Sequence, residues 1–162
     1  MRKSLFGSIA AACVLVAGLS VRAGFDGDST SIELKSFKFK VPQEMASLFG
    51  LNEDEGKLFY YTNGTGEASF KAPKDGDYDI VIKASCDPAQ NERAKFKLAV
   101  DGKEFGKETL LTADDAKEYT LTGMLKAGEH KLSVEYTNDV YKENEYDRNF
   151  FLHGVTIKPA KK

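Results

Sequence analysis

Apolar and polar positions alternate with period two along most of the chain. The clearest run is Tyr78, Ile80, Ile82, Ala84 and Cys86, five apolar side chains on one face of a strand. Phe96, Leu98 and Val100 predict the next strand, closed by Asp101-Gly102, a strong hairpin signal. His130, Leu132, Val134 and Tyr136 repeat the pattern, and Phe150 to Ile157 predicts the last strand. Weaker versions mark Lys57–Thr62, Ala68 and Phe70, Leu110–Leu111, and Tyr119, Leu121 and Leu125. Lys74-Asp75-Gly76-Asp77 and Lys126-Ala127-Gly128 read as turns. Ile32 and Leu34, followed by Phe37 and Phe39, predict one strand with a bulge where the phase slips. Pro42-Gln43-Glu44-Met45 opens the only helical candidate, with Met45, Leu48 and Phe49 at helical spacing. Many short strands and one weak helix predict an all-β domain, an antiparallel β-sandwich of jelly-roll type.

The N-terminus departs from this pattern. Met1-Arg2-Lys3 is a short basic segment, Leu5 to Leu19 is apolar, and Val21-Arg22-Ala23 has the small residues of a cleavage site. The segment reads as a Sec-type signal peptide cut after Ala23, leaving one domain over 24–162 in a secreted or periplasmic location, with no membrane contact after cleavage. The run is shorter than a membrane span and is closely followed by Arg22. A lipoprotein reading through Cys13 lacks a large aliphatic residue three positions before the cysteine. Cleavage leaves Cys86 alone, so no intramolecular disulfide forms, and its place on the apolar face predicts a buried, unpaired thiol. The first 23 residues also hold three basic side chains and no acid. Without them 20 basic side chains stand against 25 acidic ones, a net of −5. That balance argues against nucleic acid, whose phosphates require clustered Lys and Arg.

Catalytic signatures are missing. Neither His130 nor His153 has a Ser or Cys in a nucleophile motif nearby, and there is no zinc-ligand spacing. The distinctive segment is Asn138 to Asn149, twelve residues between two strands where hairpin loops usually hold about two to five. Seven of its side chains carry oxygen acceptors. Ca²⁺ takes six to eight oxygens, so the composition suits a calcium loop as well as a solvated acidic one. Asp75-x-Asp77-x-Asp79 mimics the start of an EF-hand loop, but Ile80 stands where glycine is required and Cys86 where the bidentate Glu belongs. Asn52-Glu53-Asp54-Glu55 is equally acidic without further signature.

Asn138-Asp139 … Asp147-Arg148-Asn149-Phe150-Phe151-Leu152 resembles the ending of calcium-dependent xylan-binding carbohydrate-binding modules of families 60 and 36. Tyr61-Thr62-Asn63-Gly64, Ala72-Pro73-x-x-Gly76-x-Tyr78, Glu92-x-Ala94-Lys95-Phe96 … Val100-Asp101-Gly102 and Ala127-Gly128-x-His130 resemble further family segments in the same order, over residues 56–158. His153 stands where the family's last strand carries an Asp. The resemblance implies a non-catalytic β-sandwich that binds a plant-type polysaccharide such as xylan through a loop-bound Ca²⁺, whose coordination vicinal sugar hydroxyls complete. Carried over, Asp139 and Asp147 are the expected carboxylate ligands, with Asn138 and Glu92 as further candidates. Tyr141 or Tyr146 is the expected sugar-facing aromatic. The alternative from a different class is an exported adhesion or assembly domain of the same fold with no sugar site.

Overall fold

The run from Tyr78 to Cys86 lies at the centre of the molecule, as its unbroken apolar face requires. The computed structural model describes residues 29–161. The expected signal peptide lies outside the described residues. In chain order the strands are β1 (Thr30–Ile32), β2 (Lys38–Phe39), β3 (Phe49–Asn52), β4 (Lys57–Tyr60), β5 (Gly64–Ala72), β6 (Gly76–Asp87), β7 (Lys95–Val100), β8 (Lys103–Glu104), β9 (Thr109–Leu110), β10 (Lys117–Leu125), β11 (Gly128–Tyr136), β12 (Tyr141–Lys142), β13 (Tyr146–Asp147) and β14 (Asn149–Pro159). One antiparallel sheet runs β10-β6-β14-β4-β3, with β1 beside the far half of β14. The other runs β2-β5-β11-β7-β8, with β9 also on β7. The two sheets enclose one core, to which β6 contributes Tyr78, Ile80, Ile82, Ala84 and Cys86. The expected β-sandwich is therefore the fold.

Strand β14 shows how the sequence meets the core. Phe150 and Leu152 face inward, then Val155 and Ile157 do, so the inward phase changes from even to odd numbers. A bulge between Leu152 and Gly154 absorbs the slip and leaves His153 on the outer side. Asp101 and Gly102 form the expected tight turn between β7 and β8, with φ of 53° and 77°, the left-handed pair that this hairpin needs. Cys86 is buried and free, and burial pushes its thiol pKa up.

Three local readings are corrected. Ile32 to Phe39 is not one bulged strand. β1 pairs with β14 and β2 with β5, so the chain crosses between sheets through a 3-10 turn at Leu34–Ser36. The helical candidate is a 3-10 segment, Gln43–Leu48, and Phe49 opens β3 instead, because its ring is needed in the core against Phe39 and Tyr60. Between Asn138 and Asn149, β12 and β13 form a small hairpin of their own.

His130 sits on β11 with both ring nitrogens engaged. Nδ1 lies 2.7 Å from an Asp101 carboxylate oxygen and Nε2 2.7 Å from the Lys126 carbonyl oxygen. Both partners are acceptors, so both are satisfied only by the imidazolium. Burial opposes that charge most strongly, but the Lys126 carbonyl and Asp101 outweigh it, and the pKa is raised. A raised folded value means the contribution to stability is complete below the free-chain histidine range and fades as pH rises through the folded value. The stability difference between the wild type and His130→Gln is therefore expected to be largest in mild acid and to shrink toward alkaline pH, as read by thermal melts across that range.

Candidate functional site

Arg148, 4% exposed, fixes the end of the sandwich where β6, β11 and β14 meet their loops. Its Nε donates to the Glu92 carbonyl, Nη1 to the Asn138 carbonyl and Nη2 to the Ala89 carbonyl. The Glu92 carboxylate lies 3.5 Å from Nη1. One guanidinium thus ties the 88–94 connection and the start of the long loop to the first residues of β14. Tyr136 completes the joint, its hydroxyl donating to the Arg148 carbonyl at 2.8 Å.

That joint determines what the expected ligands are free to do. The Asn138 amide is spent on the main chain. Its Oδ1 accepts from the Lys95 N–H at 2.6 Å and its Nδ2 donates to the Arg93 carbonyl at 2.9 Å. Glu92 is engaged with Lys95 and Arg148, which together hold its carboxyl below the usual range, the Lys95 hydrogen bond foremost. Both residues brace the loop base.

Asp139 is different. Its Oδ2 accepts from the Thr62 hydroxyl at 2.9 Å, and its N–H donates to Asn63 Oδ1 at 2.7 Å. Its Oδ1 is buried without a hydrogen-bond partner. Burial raises its pKa, Thr62 works against this, and the Asp147 charge adds to the rise. Asp147 stands beside Asn149, whose Nδ2 is 3.1 Å from Asp147 Oδ2 and 3.2 Å from Asp87 Oδ2. Asn149 Oδ1 is also buried and unpartnered. Two orphaned acceptors and neighbouring carboxylates form a donor set whose one cationic influence, Arg148, spends its guanidinium on main-chain carbonyls and Glu92. Among the described residues no three His, Cys, Asp or Glu side chains are grouped to hold an ion alone. The residues present fit a hard cation in donor type: carboxylate and amide oxygens with coordination left for other oxygens.

The small hairpin sets the tyrosines. Tyr141 pairs across with Asp147, and Lys142 with Tyr146. Directly opposed side chains share a face, so Tyr141, 64% exposed, stands on the Asp147 side and Tyr146 on the other. A third ring was not expected from the sequence. Tyr61, 43% exposed, stacks on Phe59 with centroids 4.6 Å apart, directly before the Thr62 and Asn63 that hold Asp139. Asn149 and Asp87 were missed too. The signal for Asn149 lay in the Asp-Arg-Asn run, whereas Asp87 reaches the site only through its register with Asn149.

A β-sandwich with a polar, acceptor-rich end flanked by exposed tyrosines is the build of a carbohydrate-binding module. The model of the family CBM60, Ca-dependent carbohydrate-binding module xylan-binding, matches residues 79–162, a little over half the chain, and the chain belongs to that family. The fold is shared with solved modules at low identity. The CBM36-1 domain of a multidomain xylanase from the hindgut metagenome of Trinervitermes trinervoides is 15% identical, with TM-score 0.59, covering 83% of this chain and 100% of that one. A family 35 carbohydrate-binding module from Clostridium thermocellum is 12% identical, with TM-score 0.56, covering 83% and 100%. The mannan-binding module from Man5C is 16% identical, with TM-score 0.54, covering 81% and 98%. No curated protein sequence gives a significant match.

Removing the guanidinium leaves the Asn138 carbonyl without its donor and takes one donor each from the Ala89 and Glu92 carbonyls, which keep only their mutual main-chain bonds. Arg148→Met is expected to cost about 3 kcal/mol in denaturant melts. Lys142→Met, on the exposed part of the same loop, should stay within about 0.5 kcal/mol.

Proposed function

We propose that this chain is an exported, non-catalytic module that binds xylan or a related plant-type polysaccharide through a calcium ion at the loop end of the sandwich. The observation that carries the reading is the buried, unpartnered Oδ1 of Asp139, with the Asp147 charge close enough to raise the Asp139 pKa. Family membership supports both the sugar and the ion. Asp139 and Asp147 would hold the ion, with Asn149 Oδ1 and Asp87 beside them. When bound, Ca²⁺ supplies a hard Lewis-acidic centre that vicinal sugar hydroxyls can ligate. The chain's own residues do the rest. Thr62 and Asn63 hold Asp139 in place, Arg148 fixes the loop, and Tyr61 and Tyr141 offer ring faces to a pyranose. Asn138 and Glu92 act as braces under the loop.

The ion and the proton compete for Asp139. Its raised folded pKa means that the metal-free fold loses stability as pH rises through that value. Asp139→Asn keeps an acceptor for Thr62 and removes the charge. It is therefore expected to melt higher than the wild type without metal at neutral pH, yet to lose the upward shift that Ca²⁺ gives the wild type. With Kd near ~10⁻⁴–10⁻³ M, as in extracellular calcium modules, a hundredfold excess of Ca²⁺ stabilises by about 2.7 kcal/mol. A wild-type melting temperature insensitive to Ca²⁺ sinks the metal site.

Sugar binding is read on a glycan array with Ca²⁺ and with EDTA. Xylan binding that disappears in EDTA and in Asp139→Ala is the expected result. Binding that survives EDTA rules out the metal-mediated mechanism, and no glycan bound in calcium returns the adhesion reading. Export is checked by sequencing the mature N-terminus, expected at Gly24.

A further inference from the structure

The outer face of the β6-β14-β4 sheet changes character in rows away from the loop end. The first row below the site is aromatic. Phe59 and Phe151 face each other across β4 and β14, with Ser85 next on β6. Phe59 lies over Gly50 on β3, where any Cβ would meet its ring at 2.8 Å. The second row is cationic. Lys57 holds its ammonium 4.0 Å from the Phe151 ring centre. The bulge after Leu152 places His153 beside Ser85, with Ser85 Oγ 2.7 Å from His153 Nε2. Lys83 lies against Gly154, which has no side chain to crowd it. Glu55 beside Lys57 and Glu118 opposite Lys83 flank this row, which holds two lysines and a histidine on a domain that is acidic as a whole.

We infer that Lys83, His153, Ser85 and Lys57 form a subsite for the anionic substituent of an acidic glycan, a uronate carboxylate or a sulfate ester, on a chain that runs from the calcium site across the aromatic row. The inference rests on the calcium-site reading for the position of the first sugar. Lys57 is already paired with Glu55, whereas Lys83, with Glu118 directly across from it on β10, makes no ion pair or side-chain hydrogen bond among the described residues, so Lys83 carries the least committed charge of the row. The groups facing the His153 ring are Lys57 and Glu55 from the β4 side and Lys83 from β6. Burial first, then Lys57 and Lys83, lower its pKa, with Glu55 opposing. An anion placed among these cations relieves their mutual repulsion. Ser85 Oγ offers a neutral donor or acceptor at the same place. Adjacent rows are about 7 Å apart, so the cationic row lies roughly 13 Å beyond Asn149, a few sugar units along a bound chain.

The test is calorimetry in Ca²⁺ with two matched pairs: glucuronoxylan against its carboxyl-reduced form, and a sulfated galactan against its desulfated form. The anionic member of at least one pair is expected to bind up to about fivefold tighter, the scale of one surface ion pair, and the pair that responds identifies the anion. Lys83→Ala and His153→Gln should each reduce that preference while leaving the neutral polymer's affinity unchanged. The His153 ring pKa, followed by NMR, should rise when the preferred anionic polymer is added. Equal affinity within both pairs, or a preference that survives both substitutions, overturns the subsite and leaves the calcium reading standing. Failure to bind any of the four polymers overturns both.

Discussion

A single buried guanidinium holds the loop end of the sandwich together. The connection after β6 and the loop after β11 bring little apolar surface to the core, so hydrophobic burial cannot fix their positions. Arg148 does so by taking three main-chain carbonyls at once. A planar fork with five donors meets several acceptors at fixed angles, which a lysine cannot do. The charge is balanced only loosely, by Glu92 at 3.5 Å, so the arrangement depends on the carbonyl dipoles. Everything argued for Asp139 and Asp147 presupposes this joint, because both residues belong to the segment whose two ends it ties.

Above the joint the structure accepts an electrostatic cost. Asp139 is buried enough for its charged form to be disfavoured, a second carboxylate adds repulsion, and one of its oxygens has no donor. A core optimised only for stability would carry an amide or a hydroxyl there. Natural folds tend to violate the rules of polar satisfaction at functional sites and to compensate elsewhere. Here the compensation is the aromatic cluster beneath, where Phe150 packs against Tyr60, Phe96 and Tyr136 at 5.3–5.9 Å between ring centres.

The sandwich then supplies direction. Because β4, β14 and β6 run together away from the loop end, their outward side chains form rows whose chemistry changes stepwise, from carboxylates and amides to rings and then to cations. An extended polymer can meet such rows in sequence, whereas a compact ligand meets only one.

The period-two runs on β6, β7, β11 and β14 were enough to fix the fold class, the buried Cys86 and the location of the long loop, since alternation reports directly which side of a strand faces apolar surroundings. Asp101-Gly102 specified its own turn, because only a few residues tolerate left-handed backbone. Family motifs named Asp139 and Asp147 as residue types in order. Their surroundings could not be read that way. Ile32 to Phe39 looked like one strand because alternation is blind to which sheet a segment joins. Asn138 and Glu92 became candidates through the family resemblance, which carries residue types over without showing that Lys95, Arg93 and Arg148 engage their side chains. Tyr61, Asp87 and the His153–Ser85 pair acquired meaning only from register across β4, β14 and β6. A sequence determines the local preference of each residue, but contacts between positions dozens of residues apart exist only once strand pairing has brought them to one surface.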